Sequence, residues 1–226
     1  MKRLSRFTGI SYLIIFITGI YANFSVLQSL LVPGDVSATA NNIANNEGLF
    51  RIGIFSFILM VIFDVLVAWA LYVLLKQVNK NLSLLAGWLR LINATIFGVA
   101  LYNLFGVLQL INGEEYLNLF GAGQLYANVM FLLDTFNNIW LIGLLFFGLH
   151  LAVLGYLIFK SGFIPKIIGI LLMIAAVGYL VDSFANFLLP NYTDYQTIFT
   201  VIVIVPGVIG ELSLTLWLLI KGVKDQ

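Results

Sequence analysis

From Phe146 to Phe184 the chain reads FFGLHLAVLGYLIFKSGFIPKIIGILLMIAAVGYLVDSF, two long apolar stretches joined by the basic turn Lys160–Lys166. Each stretch is close to the ~20 residues that cross a hydrocarbon core. In lipid no water satisfies backbone N–H and C=O groups, so a spanning segment must be a helix or part of a closed barrel. The alternation of apolar and polar residues that marks a barrel strand is absent, which leaves helices. The same pair of stretches holds the chain's single histidine, His150, and an acid, Asp182. Ionisable groups inside an apolar helix are costly, and they are retained where they are paired or used.

The rest of the chain repeats the theme. Hydrophobic residues make up 62% and charged residues 9%, against about 25% charged in soluble domains. Such a chain cannot build a water-facing surface. A formal net charge of +1 gives no basic face for nucleic acid. With no cysteine, disulfides, thiolate catalysis and zinc–thiolate sites are excluded. The first apolar run, Phe7–Val32, is longer than the ~7–15-residue apolar region of a signal peptide, and no small-x-small cleavage site follows it, so it is expected to be a retained span.

Six spans are expected, at about 7–31, 49–75, 84–111, 137–159, 167–189 and 197–220, forming one all-α, six-helix transmembrane domain over residues 1–226. Lys2, Arg3 and Arg6 precede the first span. Lys76 and Lys80, then Lys160 and Lys166, fill two alternate loops, and Lys221 and Lys224 follow the last span. The opposite loops hold Asp35, Glu47, Glu114, Glu115 and Asp194, with Arg51 nearby. The positive-inside rule therefore expects a multi-pass protein of the cytoplasmic membrane with both termini in the cytoplasm. Trp69, Tyr72, Trp88, Tyr156 and Trp217 sit near the basic ends, as an aromatic belt does. Two connecting segments are not plain loops. Residues 35–47 open with Asp35 as a cap and place Val36, Ala40 and Ile43 at helical spacing, which predicts a short surface helix. Residues 118–136 mix apolar residues with Gly121, Gly123, Gln124, Asn128 and Asp134, which predicts an interfacial or partly re-entrant lead-in to the fourth span.

Polar residues in the spans fall at related depths. Counted from the basic anchors at ~1.5 Å per residue, Asp64 lies ~18 Å from Lys76, while Arg90, His150 and Glu211 lie ~15 Å from Lys80, Lys160 and Lys221. In a core ~30 Å thick, all four reach the midplane from four different helices. Asp64 and Glu211 can pair with Arg90, His150 can donate to a carboxylate or stay neutral, and an acid left without a cation holds its proton, as in proton relays. Asp182, with Tyr179 and Asn186 on one face, is about 24 Å from Lys166. Glu47, Arg51 and Asp134 are the candidates at the outer face. Each has a plainer reading. Arg90 can snorkel to the cytoplasmic side, Asp64 and Arg90 can lock two helices, and the face of Gly207, Glu211 and Thr215 can simply pack. The triplet Asn191-Tyr192-Thr193 matches a glycosylation acceptor but is too short a pattern to carry weight.

No nucleophile elbow, HExxH helix, phosphate loop or spaced histidine pair occurs. No metal site and no cofactor are expected.

The run Phe147-Gly-Leu-His150, the run Gly178-Tyr179-Leu-Val-Asp182-Ser-Phe184, the segment Asn46-Glu47-Gly48-Leu49-Phe50-Arg51 and the triplet Leu89-Arg90-Leu91 together resemble the bacterial membrane family known as domain of unknown function 4386. The resemblance implies a multi-span membrane protein in which Glu47, Arg51, Arg90, His150 and Asp182 belong to a shared pattern, and it brings no catalytic residue with it. The function expected is that of an integral membrane protein that binds or transports a small molecule, lipid or ion at the midplane layer. The alternatives are a lipid-modifying enzyme using Asp, Glu and His as acid–base groups, or an assembly subunit whose charges only hold helices. The lipid bilayer is the expected partner, with a lipid or small-molecule ligand and a second copy of the chain as further candidates.

Overall fold

The computed structural model describes residues 1–113 and 120–223. The outer-loop acids Glu114 and Glu115, the start of the expected lead-in at Asn118, and Lys224 lie outside the described residues. The described chain is helical throughout, with six helices long and apolar enough to cross a membrane. In chain order the elements are α1 (Lys2–Leu30), α2 (Val36–Asn45), α3 (Glu47–Leu75), α4 (Lys80–Ile111), α5 (Ala122–Ser161), α6 (Lys166–Leu188) and α7 (Tyr192–Ile220). All but α2 are long enough to span.

Several helices run longer than the spans read from the sequence. Helix α5 is a single element of 40 residues, about 60 Å long at the helical rise. Residues 122–136 are therefore its first turns, continuous with the fourth span. Gly121 and Gly123 do not break it because both precede or open the first turn, where a missing Cβ costs little. Helix α7 likewise begins at Tyr192 and not near 197, and it runs through Pro206. Helix α1 contains a seven-residue π-helical stretch, Tyr21–Leu27, which no sequence signal announced.

The short helix α2 starts at Asp35, whose carboxylate accepts the Ala38 N–H at 2.8 Å and the Ser37 hydroxyl at 2.8 Å. These bonds hold the Asp35 carboxyl below its ordinary value, the Ala38 amide acting most strongly and the Ser37 hydroxyl next. Thr39, Ala40 and Ile43 form its buried face, while Val36 is exposed. The spacing Val36–Ala40–Ile43 and the Asp35 cap thus marked the helix and its start, but Thr39 and not Val36 completes the buried face.

The chain resolves into two compact units. The first comprises residues 1–13, 63–94 and 141–226, and the second residues 14–62 and 95–140. In the first, α6 and α7 meet at glycines: a Cβ on Gly178 would lie 2.5 Å from the Ile202 carbonyl oxygen, and one on Gly210 would lie 3.3 Å from Leu171 backbone. Pro206 has no N–H, so the Ile202 carbonyl lacks its helical donor, and the close approach of Gly178 sets a Cα–H against it. Ser5 joins the two chain ends of this unit, donating to the Leu218 carbonyl at 3.3 Å and accepting from the Val223 N–H at 3.2 Å. In the second unit the core is aromatic. Phe97 stacks on Trp140 with centroids 3.7 Å apart and planes 6° from parallel, and Phe57 and Phe136 meet the same indole at 5.1 and 5.3 Å.

A buried polar cluster around Arg90

Helix α4 buries Ala86, Arg90, Asn93 and Ala94 and exposes Leu85, Trp88 and Ile92. That is an i, i+4, i+7, i+8 stripe, so Arg90 stands in the middle of the packing face. It is 1% exposed and does not snorkel. Asp64 occupies the matching place on α3, on a stripe with Val67, Ala68 and Leu71. His150 does so on α5 with Leu151 and Leu154, and Glu211 on α7 with Gly207, Leu214 and Thr215.

The Arg90 guanidinium gathers these helices. Its Nη2 donates to Asp64 Oδ1 at 2.5 Å, and its Nη1 donates to Tyr12 Oη at 3.2 Å. The same Nη1 lies 3.2 Å from His150 Nε2. His150 Nδ1 lies 2.8 Å from the Ala86 carbonyl oxygen. A carbonyl only accepts, so Nδ1 carries the hydrogen, and Nε2 offers a lone pair to the guanidinium. The imidazole is therefore the neutral Nδ1–H tautomer, because a second ring N–H would face the guanidinium donors. The rings of Tyr12 and Phe147 lie 4.8 and 5.5 Å from the guanidinium carbon and add cation–π attraction. Glu211 is close enough for its charge to act on Arg90, Asp64 and Tyr12, but the ion pair within bonding distance goes to Asp64. Of the four residues expected at one depth, Asp64 and His150 meet Arg90 directly, and Glu211 bonds none of them.

Asp182 stands in a different place. Its Oδ1 accepts the Tyr192 hydroxyl at 2.7 Å, across the turn joining α6 to α7. Tyr192 also stacks on Phe199, with centroids 5.4 Å apart. Between the two sites sits Tyr179. Its ring meets Phe147 edge-on at 5.2 Å, and a Cβ on Gly207 would lie 3.3 Å from its hydroxyl oxygen.

The expected outer residues do not join either cluster. Glu47 and Arg51 form an i, i+4 ion pair at 2.6 Å, with their side chains 35% and 54% exposed. Such a pair supports the start of α3 by a few tenths of a kcal/mol. Asp134 is exposed and borders a crevice of about 180 Å³ in the second unit with Leu31, Val32, Thr39 and Asn137.

Four buried side-chain atoms lack a hydrogen-bond partner among the described residues: Arg90 Nε, both amide atoms of Asn93, and Ser183 Oγ. Among the described residues no group of three or more His, Cys, Asp or Glu could hold a metal ion. Sequence reasoning missed Tyr12, Asn93, Ser183 and Tyr192 as members of these sites. For Tyr12 a signal existed. Ser5, Thr8, Ser11 and Tyr12 fall at i, i+3, i+6 and i+7 and are all buried, a polar stripe in a helix whose surroundings are apolar.

An uncharacterized protein of Archaeoglobus fulgidus is 35% identical over 173 residues, covering 76% of this chain and 83% of the relative. Its archaeal source shows that proteins similar to this one are not confined to bacteria. No solved structure matches the chain. The family described as domain of unknown function 4386 matches residues 7–222, nearly the whole described chain and every residue of both clusters, and the chain belongs to that family.

Proposed function

We propose that this is a multi-pass membrane protein that binds a small polar molecule, lipid headgroup or ion at the layer around Arg90, and that both its termini lie in the cytoplasm. The observation that carries the binding reading is Asn93. It is fully buried, one turn from Arg90 on the same face of α4, and neither side-chain amide atom has a partner. The large majority of buried side-chain polar atoms in folded proteins are paired, and each one left unsatisfied costs about 1–3 kcal/mol. A helix-locking ion pair has no use for such a residue, because Asp64, Tyr12 and His150 already hold the guanidinium head. A ligand carrying both donors and acceptors would engage Asn93 together with Arg90 Nε. An acid–base enzyme is less well supported, since both ring nitrogens of His150 are engaged by Ala86 and Arg90.

Native mass spectrometry of the protein released from membranes tests the reading. The wild type should retain a small polar adduct that Asn93→Leu loses. No adduct on the wild type, together with a more stable Asn93→Leu, would leave only the assembly role, which the reach of Arg90 to three other helices favours. The orientation follows from the lysine and arginine positions. A cysteine at Asp194 should react with an impermeant thiol reagent in intact cells and one at Lys166 should not; the opposite pattern reverses the topology.

A further inference from the structure

The interior of the first unit sets acid against base, but its basic end does not. Lys76 and Lys80 flank the α3–α4 turn, Lys160 and Lys166 flank the α5–α6 turn, and neither turn holds an acid. Asp64 and Glu211 stand about 18 and 15 Å along their helices from Lys76 and Lys221, and Asp182 and Asp194 fall at the opposite end of the α6–α7 pair. Among the described residues none of the four lysines forms an ion pair.

The two turns bound a crevice of about 290 Å³, lined by Gln77 and Val78 from one and by Lys160, Ser161 and Phe163 from the other. Both walls are fixed. Ser161 Oγ donates to the Ile158 carbonyl at 2.8 Å and accepts the Ile164 N–H at 3.2 Å. Opposite it, Ser83 Oγ donates to the Tyr72 carbonyl at 3.0 Å, and Asn79 Oδ1 accepts the Leu82 N–H at 3.0 Å. With the Ser161 hydroxyl engaged in its own turn, the side-chain donors facing a ligand are the Lys160 ammonium and the Gln77 amide. The Lys160 Nζ lies 5.9 Å from the centroid of the Tyr156 ring, and the Lys166 Nζ lies 5.5 Å from that of Phe159. Tyr156, Trp69 and Trp88 are all exposed and mark the interfacial belt. The crevice sits one to two turns beyond them and so opens at the level of lipid headgroups. Cationic and amide donors without an acid attract a phosphate and repel a cation, and the apolar edges at Val78 and Phe163 suit a phosphate carried on an apolar molecule. A second basic crevice, at the start of α1, is lined by Lys2, Arg3 and Arg6, but its lining comes from one helix end alone.

We infer that the crevice between the α3–α4 and α5–α6 turns holds the phosphate of an anionic phospholipid. Lys160 supplies the countercharge, the Gln77 amide donates to a phosphoryl oxygen, and Val78 and Phe163 meet the glycerol. Inorganic phosphate offers the same oxygens without the apolar part. The site is separate from the Arg90 layer and does not depend on what that layer binds.

The test uses the full-length protein, freed of lipid in a non-ionic detergent and isotope-labelled at its glutamine side chains. Short-chain phosphatidylglycerol is added while the Gln77 side-chain amide signals, assigned by their loss in Gln77→Leu, are followed by NMR. They should shift and saturate. Lys160→Gln should weaken that binding about five-fold, the effect of one cation at an anionic lipid. Lys2→Gln removes the same charge from the other crevice and should leave the binding unchanged. Both lysines are exposed, so neither change disturbs the core. Phosphatidylcholine, whose choline cancels the charge, should bind at least about five-fold more weakly, and inorganic phosphate more weakly than phosphatidylglycerol. Equal weakening by Lys160→Gln and Lys2→Gln would reduce the effect to the general attraction of a basic face and overturn the inference. Unmoved Gln77 signals, or phosphatidylcholine or inorganic phosphate matching phosphatidylglycerol, would overturn it as well.

Discussion

The two compact units are cut from much the same helices and have opposite cores. In the first, α1, α3, α4 and α5 meet through Tyr12, Asp64, Arg90 and His150, all buried. In the second, α3, α4 and α5 contribute Phe57, Phe97, Phe136 and Trp140, which touch ring to ring. An aromatic core is held by dispersion and quadrupole contacts that add up pair by pair. A buried ionic core does not behave additively, because removing one member leaves its partner charged and desolvated. A helix can thus be specified in one part of its length by complementarity of charge and in another by complementarity of shape. The first gives register and sensitivity; the second gives tolerance.

The largest effect should come from breaking the ionic core. Arg90→Leu leaves Asp64 uncompensated and should cost about 3–5 kcal/mol, read by chemical denaturation in detergent. Arg90→Leu combined with Asp64→Leu should regain part of that loss, and the recovery measures the coupling. Pairing Arg90→Leu with Glu211→Leu should regain less, since Glu211 acts on Arg90 without bonding it. Equal recovery by the two doubles would mean that the layer is a diffuse field and not a bonded pair.

Next in size is the α6–α7 contact. Gly178→Ala sets a methyl against the Ile202 backbone carbonyl, which cannot retreat without moving α7. The strain should be about 1–3 kcal/mol, visible as a lower melting temperature. Gly98→Ala on α4 has nothing within 4 Å of the added carbon and should be neutral or slightly stabilising.

In the aromatic core, Phe97→Leu should cost only about 0.5–1.5 kcal/mol, roughly the aromatic pair term. A loss as large as that of Arg90→Leu would erase the distinction between the two cores. The smallest effect should be at α2. The Asp35 carboxyl titrates below its ordinary value because its charged form accepts the Ala38 and Ser37 bonds. Its cap therefore contributes fully above the unfolded-state value and is lost as pH falls through the lower folded value. Ala38 amide protection, corrected for intrinsic exchange, should drop across that acid window in the wild type and stay flat in Asp35→Ala.

How much of this was legible in the sequence depends on the distance over which each signal acts. The six spans were readable because hydropathy is a local property that lipid enforces on every residue. That Asp64 and His150 could meet Arg90 was readable because a helix rises by a fixed step, so counting from the lysine anchors brings them to one level. That Arg90 bonds Asp64 fits the short turn between α3 and α4, which keeps those two helices adjacent. Depth alone, however, says nothing of rotation about a helix axis. It did not reveal that Asp182 turns to Tyr192, or that Tyr179 reaches Gly207.

The sequence by itself determined the solvent, the number of helices, and which residues would have to share the interior at a given depth. Tertiary structure alone decided the partners. Tyr12 sits on Arg90, His150 takes the Nδ1–H tautomer because of the Ala86 carbonyl, Asn93 is left unpaired, and the rings of Phe57, Phe97, Phe136 and Trp140 find one another. The physical reason is that burial acts residue by residue along the chain, while a hydrogen bond or ring contact exists only once two helices have a definite rotation and separation. Those are properties of the packed pair and of neither helix alone.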